Sequence, residues 1–350
     1  MLREIRLLAL ILLTSLPLAA QPYEDGRPFT KVRMPAVDQG VVLKHQGGPR
    51  DCDRYGARDV WVFEARGTYY MHYDAAGPDA WLAALATSKD LIHWDKKGPV
   101  LELGKATDGD SKSASYGATY FDGKIWHMFY VATQNTTPPP DRIPAIPYTT
   151  MKAWSKNPAG PWIKQPGVVP WKLIPGTYYS DTGSPGFTVK QGDEYLQFFS
   201  AATAEANNRN IRRTIGIART KDLNGSWRPD PQPALPLSEQ VENTSLYFEP
   251  ANQTWFLFTN HVGIRKGMEY TDAVWVYWTK DLNHWDPKHK AVVLDSSNCP
   301  WSKEVIGLPS VVKVKDKLAL FYDGVAQGPI SHMGRDIGLA WLQLPLRVPE

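Results

Sequence analysis

Short runs of β-branched and aromatic residues, separated by Gly, Asp or Asn, recur along most of the chain. Residues 60–63 (Val-Trp-Val-Phe) are followed by residues 68–73, and residues 117–120 are followed by residues 125–130. Apolar runs this short, with turn-forming residues between them, predict β-hairpins. No long segment repeats its apolar residues with the 3.6-residue period of a helix, so the pattern predicts an all-β chain.

Three further pairs of runs begin near residues 187, 245 and 310. A third run often follows, for example at residues 81–87 and 274–279. Five units of about four strands each predict a five-bladed β-propeller of four-stranded antiparallel blades, a fold that hides its sheet edges by radial repetition. A β-sandwich is the alternative that this pattern leaves open.

The two ends of the predicted domain are expected to complete the same fold. Residues 337–342 (Ile-Gly-Leu-Ala-Trp-Leu) are apolar and compatible with a β-strand, which we expect in the fifth blade. Residues 41–43 (Val-Val-Leu) are expected to add a strand beside it or beside the first blade.

A turn motif, Asp-Leu followed by Trp after two or three intervening residues, repeats along the chain. It begins at Asp90, Asp222 and Asp281, and a looser version ends at Trp162. Its tryptophans recur at intervals of roughly sixty residues, and self-similarity at a fixed period indicates a repeat architecture. We interpret the motif as structural: the Asp binds backbone amides of its own turn, and the Trp packs between neighbouring blades.

Residues 1–20 have the pattern of a secretory signal peptide. Arg3 and Arg6 precede an apolar run over residues 7–18, and Ala19 and Ala20 follow it. The run is too short to cross the roughly 30 Å hydrocarbon layer of a membrane. We therefore expect an exported protein, secreted or periplasmic, in which residues 21–350 form one propeller domain without a membrane segment.

The composition narrows the range of partners. The net charge is +3, with 39 basic and 36 acidic residues, and this near balance does not resemble a nucleic-acid-binding domain. The chain has 14 Trp and 16 Tyr although only 43% of its residues are hydrophobic. A surplus of aromatic rings is expected where a protein stacks against sugars, so we expect a carbohydrate partner and no nucleic acid.

The sequence contains two cysteines, Cys52 and Cys299. They precede the first strands of the first and last predicted blades, which are neighbours when the ring closes. Because an exported protein encounters oxidising conditions, we expect the two to form a disulfide. Two buried free thiols are the alternative.

Three acidic residues, Asp59, Asp181 and Glu242, stand at the starts of predicted first strands in different units. The first strand of each blade lies nearest to the propeller axis, so these side chains are expected to converge although they are distant in sequence. An unpaired buried carboxylate is costly, which favours a function for the three. Asp51 and Asp53 are weaker alternatives to Asp59.

The Trp turns, the repeat length and these three acids resemble glycoside hydrolase family 43 and its five-bladed relatives in families 32, 62, 68 and 117. The resemblance covers nearly all of residues 21–350 as architecture. It implies that Glu242 is the general acid and Asp59 the general base. It also implies that Asp181 orients the acid and helps it to keep its proton. Hydrolysis of an acetal requires such a pair of carboxyl groups.

Several positions depart from the family's pattern. Val60 and Thr182 stand where the family has Pro after its two Asp residues, and Asn243 and Thr244 replace Gly-Pro after the Glu. Residues 306–309, at the start of the fifth unit, contain no His, which argues against the His-associated metal of some relatives. We expect a divergent member that uses no metal and no other cofactor.

Further residues are candidates for substrate binding. Aromatic side chains near strand starts offer platforms for sugar rings, and basic side chains can pair with catalytic acids or with a sugar hydroxyl group. The candidates are Trp61, Tyr116, Tyr179, His261, Arg58 and Arg335. Core packing is the alternative for the aromatic residues, and a satisfied buried side chain is the alternative for His261.

These observations predict a hydrolase that cleaves a glycosidic bond in a plant, algal or microbial polysaccharide or oligosaccharide. The expected sugar is a furanoside or xyloside-like residue, and the expected outcome is inversion. One alternative is a non-catalytic propeller that binds carbohydrate or protein. The other is a propeller glycoside phosphorylase, whose phosphate would be held by Arg209, Arg212 and Arg213.

Overall fold

The computed structural model describes residues 30–204, 211–265, 268–327 and 331–349. The predicted signal peptide, residues 1–20, and Arg209 lie outside the described residues. Within those ranges the chain is all-β, with two short 3-10 helices (Pro49–Asp51 and Leu237–Glu239). The strands are β1 (Val37–Leu43), β2 (Gly56–Ala65), β3 (Thr68–Ala76), β4 (Trp81–Ser88), β5 (Asp95–Pro99), β6 (Ser113–Phe121), β7 (Trp126–Thr133), β8 (Thr149–Ser155), β9 (Ile163–Lys164), β10 (Thr182–Gln191), β11 (Glu194–Ala204), β12 (Ile211–Thr220), β13 (Arg228–Pro229), β14 (Val241–Glu249), β15 (Thr254–Arg265), β16 (Met268–Thr279), β17 (Lys290–Leu294), β18 (Ser310–Val314), β19 (Lys317–Gly324) and β20 (Asp336–Gln343).

Most neighbouring strands pair in chain order and antiparallel, as the repeated hairpin pattern predicts. Strands β10 to β13 form one sheet and β14 to β17 form another. Strands β2 to β9 form a larger sheet in which β2–β5 and β6–β9 are two antiparallel groups. Two parallel residue pairs, Trp81 with Ser113 and Leu82 with Ala114, join these groups.

The last sheet is built from both ends of the described chain. Its strand order is β1-β20-β19-β18, so the N-terminal strand pairs with the C-terminal one. Val41 lies opposite Gly338 and Leu43 opposite Ile337 in an antiparallel register. The predictions of a strand at residues 337–342, and of a partner strand at residues 41–43, are confirmed.

The Asp-Leu turns have the structural role that the sequence predicts. Asp90 accepts hydrogen bonds from the backbone amides of Ile92 (2.9 Å) and His93 (2.8 Å). The indole of Trp94 donates to the carbonyl of Leu91 at 2.9 Å. These bonds fix the turn, and the Asp carboxylate is therefore occupied by its own backbone.

The turn tryptophans pack edge-on against rings from the preceding group of strands. Trp162 contacts His72, Trp227 contacts Phe129 and Trp285 contacts Phe198, with ring centroids 5.4 to 5.8 Å apart. Trp94, in the first group, contacts Phe321 in the last one at 5.8 Å. The interpretation of these residues as packing between neighbouring groups of strands is confirmed.

The first strands of the five antiparallel groups surround a common interior. Strand β2 packs against β6, β6 against β10, β10 against β14 and β14 against β18, and β18 packs against β2. Residues near the starts of β2, β6, β10 and β14 line one cavity, and residues further along all five strands line another. This arrangement places a polar residue at a strand start close to the starts of its neighbours.

The predicted disulfide between Cys52 and Cys299 is wrong. Both are buried free thiols, and they belong to different hydrophobic clusters. The Cys299 thiol lies 3.4 Å from the hydroxyl of Tyr322. Proximity of the first and last strand groups is therefore not enough to bring these two side chains together.

None of the helices in the described part of the chain is long and apolar enough to span a membrane.

Candidate active site

A two-residue irregularity near the start of each of four first strands shapes the site. In β2 the pairing with β3 is interrupted between Arg58 and Trp61, and in β14 the pairing with β15 is interrupted between Glu242 and Ser245. Strands β6 and β10 have the same interruption. Bulges of this kind bend a strand and redirect a side chain, often beside an active site.

Asp59 lies inside the bulge of β2, in a left-handed backbone conformation with φ of 48°. Such a conformation costs a non-glycine residue on the order of 1 kcal/mol or more and persists only where the surrounding structure imposes it. Asn243 occupies the corresponding bulge position of β14 with φ of 59°. Glu242 precedes that bulge and pairs with Asn260 across the ladder.

Asp59 and Glu242 line the same cavity, which has about 570 Å³ of empty space when the open solvent within it is included. They reach it from different sheets, so the convergence of these two predicted acids is observed. The lining combines charged, aromatic and small polar side chains. It comprises Arg58, Asp59, Asp74, Trp81, Ser115, Tyr116, Val131, Ile143, Pro144, Tyr148, Thr182, Ser184, Ser200, Arg213, Glu242, Asn243 and His332.

The carboxylate of Asp59 is buried beside a guanidinium group. Arg58 donates from Nε to Oδ2 of Asp59 at 3.0 Å, and the guanidinium lies 5.6 Å from the centre of the Trp81 ring. Burial raises the pKa of Asp59, Arg58 opposes this shift, and the nearby carboxylate of Asp323 adds to it. Asp323 is itself held by Arg335 at 2.7 Å. A carboxylate with a raised pKa is a stronger base than an ordinary one.

Glu242 is held by a second guanidinium group that lines the same cavity. Arg213 donates to Glu242 at 2.9 Å and, through its other terminal nitrogen, to Glu269 at 2.8 Å. The amide of Asn260 donates to the second oxygen of Glu242 at 3.3 Å. Both carboxylate oxygens of Glu242 therefore have a fixed partner, which orients the group.

A chain of neutral polar groups leads from Tyr116 to Glu242. The hydroxyl of Tyr116 donates to the Asn243 side chain at 3.1 Å, and Asn243 donates to Asn260 at 2.8 Å. Asn260 in turn contacts Glu242. Burial raises the pKa of Tyr116 well above its usual value, with the carboxylates of Asp59 and Glu242 adding to the effect. Tyr116 is therefore a neutral hydrogen-bond donor.

Asp181 does not line this cavity. Its carboxylate accepts a hydrogen bond from the Ser180 hydroxyl at 2.6 Å and another from the Ala204 amide at 2.9 Å. In β10 the last paired residue before the bulge is Ser184, which corresponds to Glu242 in β14. Asp181 stands three residues earlier, just before β10 begins, and is not among the residues that line the cavity.

The other acids considered at the first strand start also have partners of their own. Asp53 is buried, forms an ion pair with Lys96 and accepts from the amide of Gly48 at 2.9 Å. Asp51 is exposed and pairs with Arg54. Neither lines the cavity, so Asp59 is the acid of this loop and strand that reaches it.

The remaining candidates for substrate binding separate into two groups. Arg58 and Tyr116 line the cavity, and Arg335 lines an adjoining pocket that shares Arg58, Arg213, Glu242 and His332 with it. The other three lie elsewhere. Trp61 lines the cavity further along the first strands, Tyr179 packs in a core cluster, and His261 stacks on Trp275 at 4.2 Å and bonds to Asp272 at 2.7 Å.

Sequence reasoning missed Asp74, Glu269 and His332, and it considered Arg213 only as a candidate phosphate ligand. Asp74 is on β3 directly opposite Arg58. In an antiparallel hairpin the end of the second strand lies beside the start of the first, so an acid at the end of an aromatic strand is a usable signal. His332 lies outside the strands, and no local pattern identifies it. Across the described ranges, no group of three or more His, Cys, Asp or Glu side chains is arranged to hold a metal ion.

Comparisons with known proteins identify the fold. No protein-family model and no curated protein matches the chain. Among solved structures, BT0996 in its RGII complex is similar, with a TM-score of 0.69 and 16% identity over 91% of this chain and 96% of that one. The catalytic domain of the Coprinopsis cinerea GH62 α-L-arabinofuranosidase gives a TM-score of 0.60 and 10% identity over 89% of this chain and 97% of that one.

A third structure is Zg3597, a family 117 glycoside hydrolase from the marine bacterium Zobellia galactanivorans. It has a TM-score of 0.61 and 14% identity, over 90% of this chain and 93% of that one. At such identities the likeness concerns the fold alone. The chain therefore has a fold similar to that of the propeller glycosidases of families 43, 62 and 117, and the resemblance to them that the sequence predicts is confirmed at the level of the fold.

Proposed function

We propose that this protein is an exported glycoside hydrolase with a five-bladed β-propeller fold, in which Glu242 is the general acid and Asp59 the general base. The observation that carries the proposal is that two carboxylates from different sheets line one cavity. Acetal hydrolysis uses two carboxyl groups on opposite sides of the scissile bond. The similarity in fold to glycosidases supports the same reaction class.

The proposed reaction is a single displacement. Water loses a proton to Asp59 and attacks the anomeric carbon, the glycosidic C–O bond breaks, and Glu242 gives its proton to the departing oxygen. Burial of Asp59 raises its pKa and so strengthens it as a base. Arg213 and Asn260 fix the position of the Glu242 carboxyl group. Such a single displacement inverts the anomeric configuration because each carboxyl group acts once and no covalent intermediate is formed.

The fold and the cellular location are part of the same proposal. The cyclic packing of β2, β6, β10, β14 and β18 supports five blades. The pairing of β1 with β20 closes the last blade with a strand from the other end of the chain. The signal-like residues 1–20 support secretion or a periplasmic location. By analogy with glycosidases of this fold, the proposed sugar is a furanoside or a xyloside-like residue.

The test is an activity screen of purified residues 21–350 against aryl glycosides of α- and β-pentofuranoses, xylopyranose and galactofuranose. Release of the aryl group, with Asp59→Asn as the inactive control and Glu64→Gln as a control on the same strand, supports the proposal. Glu64 is exposed at the far end of β2. Proton NMR of the first anomer released then decides between inversion and retention.

Two other outcomes replace the proposal rather than refine it. Cleavage that requires inorganic phosphate identifies a phosphorylase. Against this, Arg213 already contacts two carboxylates, which leaves little of its guanidinium for phosphate. Binding of oligosaccharides without turnover identifies a carbohydrate-binding propeller.

A further inference from the structure

Asp74 is a third carboxyl group at the proposed site, and the proposed chemistry does not use it. It lies on β3 opposite Arg58, so its side chain is next to the bulge that holds Asp59. Only 3% of the residue is exposed, yet it lines the cavity with Asp59 and Ser115. The third acid expected from the sequence, Asp181, binds Ser180 and Ala204 instead.

The ion pairs around Asp74 leave it without a cation of its own. Arg58 contacts Asp59 through Nε, and Arg335 contacts Asp323 at 2.7 Å. Asp74 has a hydrogen bond to Ser115, but its Oδ1 atom is buried and has no hydrogen-bond partner in the described structure. A fully ionised carboxylate in this position would place an uncompensated charge in the interior, which is energetically unfavourable.

A charge count leads to the same result. Three buried carboxyl groups, Asp59, Asp74 and Asp323, face two guanidinium groups, Arg58 and Arg335. The cluster is neutral when one of the three acids holds a proton. Asp59 and Asp323 each have a guanidinium partner, so the proton is placed at the lowest cost on Asp74.

The remaining titratable groups around the cluster do not supply a further cation. His332, which lines the cavity, has its pKa lowered well below its usual value by burial and by Arg58, Arg335 and Arg213, so it is neutral near pH 7. Tyr116, from β6, is also neutral there. Burial raises the pKa of Asp74 well above its usual value, and the charge of Asp59 adds to this.

We propose that Asp74 holds a proton in the working protein and acts as a positioning residue for Asp59, leaving Asp59 as the ionised carboxylate on this side of the cavity. Two carboxyl groups at such a site lose their protons in two separate steps. Asp74, as a neutral acid, keeps Asp59 free to accept a proton from water. This proposal rests on the proposed function for its catalytic consequence, but the proton on Asp74 is measurable without a substrate.

The first test uses the protein alone. Infrared difference spectra between wild type and Asp74→Asn at neutral pH should contain the C=O stretch of a protonated carboxylic acid, contributed by the wild type. Absence of this band overturns the proposal.

Stability should respond too: the folded state binds a proton at Asp74 that the unfolded state loses above about pH 4, so stability falls as pH rises. The unfolding free energy of Asp74→Asn, relative to wild type, should therefore increase from about pH 4 to pH 7.

The second test uses the aryl glycoside cleaved fastest in the screen above. Asp74→Ala should lower kcat/KM by roughly a hundredfold because it leaves Asp59 beside an empty space. Asp74→Asn introduces a neutral side chain of the same shape, and its kcat/KM should be at least tenfold higher than that of Asp74→Ala. If Asp74→Asn is as inactive as Asp59→Asn, Asp74 works as an ionised base and the proposal is wrong. If no glycoside is cleaved, the proposed function fails while the infrared and stability measurements still decide the state of Asp74.

Discussion

Arg58 and Glu242 occupy corresponding positions in the first strands of two different sheets, each being the last paired residue before a bulge. Asp59 is therefore one position further along its strand than Glu242 is along its own, and it has the left-handed backbone of the bulge. The two proposed catalytic acids are not equivalent by repeat symmetry. Each has a different arginine and a different degree of burial, which suits them to different roles.

The first prediction separates those roles by leaving group. Glu242→Gln should lower kcat by about 10² to 10⁴ for alkyl glycosides, which need protonation of the departing oxygen. It should lower kcat much less for aryl glycosides with acidic phenols. Asp59→Asn should reduce the rate for all substrates alike, because activation of water does not depend on the leaving group. Steady-state rates on a series of substituted phenyl glycosides measure this.

Equal slopes of log kcat against phenol acidity in wild type and Glu242→Gln would remove Glu242 from the role of acid. Circular dichroism of both variants checks that folding is intact.

The second prediction concerns Arg213, which contacts both Glu242 and Glu269. Arg213→Met should lower kcat/KM by roughly tenfold to a hundredfold, since small misplacements of a catalytic group have effects of this size. Arg213→Lys should recover only part of the loss, because one ammonium group does not reproduce two directed contacts. The matched control is Arg219→Met, on the same strand, whose guanidinium pairs with Asp230 away from the cavity. If Arg219→Met lowers kcat/KM as much as Arg213→Met does, the loss reflects a general effect on folding and not the contacts of Arg213 at the cavity.

Much of the fold follows from local signals in the sequence. The hairpins are specified by short apolar runs and turn residues, and the Asp-Leu turns by bonds such as those from Ile92 and His93 to Asp90. These interactions are made within a few residues, so the pattern contains them. The pairing of β1 with β20 is predictable because both segments have the pattern of a strand, and each needs the edge of another strand for its backbone hydrogen bonds.

The site is less predictable because it depends on register. Asp181 and Glu242 both stand near strand starts in the sequence, but the pairing places Ser184, not Asp181, at the position that corresponds to Glu242. A difference of three residues decides which side chain reaches the cavity. The disulfide prediction fails for a related reason, because neighbouring strand groups do not fix the distance between two loop cysteines.

The third prediction tests the packing between sheets. Trp285 is 5% exposed, packs on Phe198 and donates from its indole to the carbonyl of Leu282 at 2.9 Å. Trp285→Ala should lower the free energy of unfolding by about 3 to 5 kcal/mol. Urea denaturation followed by fluorescence measures the change. Phe121→Ala removes a ring that is 44% exposed, so it should lower the free energy of unfolding far less. Equal losses in the two variants would contradict the packing role of Trp285.

The last prediction concerns pH and His72. This side chain is fully buried between Phe63 and Trp162, and burial lowers its pKa to about 4. In the unfolded chain it titrates near pH 6.5, so between about pH 6.5 and pH 4 the unfolded state binds a proton that the folded state refuses. Stability is therefore full above pH 6.5 and declines as pH falls through this window, by up to about 3 kcal/mol for this residue.

His72→Phe should remove the part of the acid-induced loss of stability that comes from His72, because a phenyl ring does not titrate. A phenyl ring is also what Trp285 and Trp94 pack against in their own turns, on Phe198 and Phe321. His72→Leu is a second variant in case the larger ring does not fit. Urea unfolding at several pH values gives the slope for each protein, and His284→Gln, at an exposed turn, serves as the control. If the slope of both His72 variants equals that of wild type, His72 is not the group that destabilises the protein in acid. A slope that becomes flatter in both variants, and not in His284→Gln, assigns the effect to the contact between His72 and Trp162.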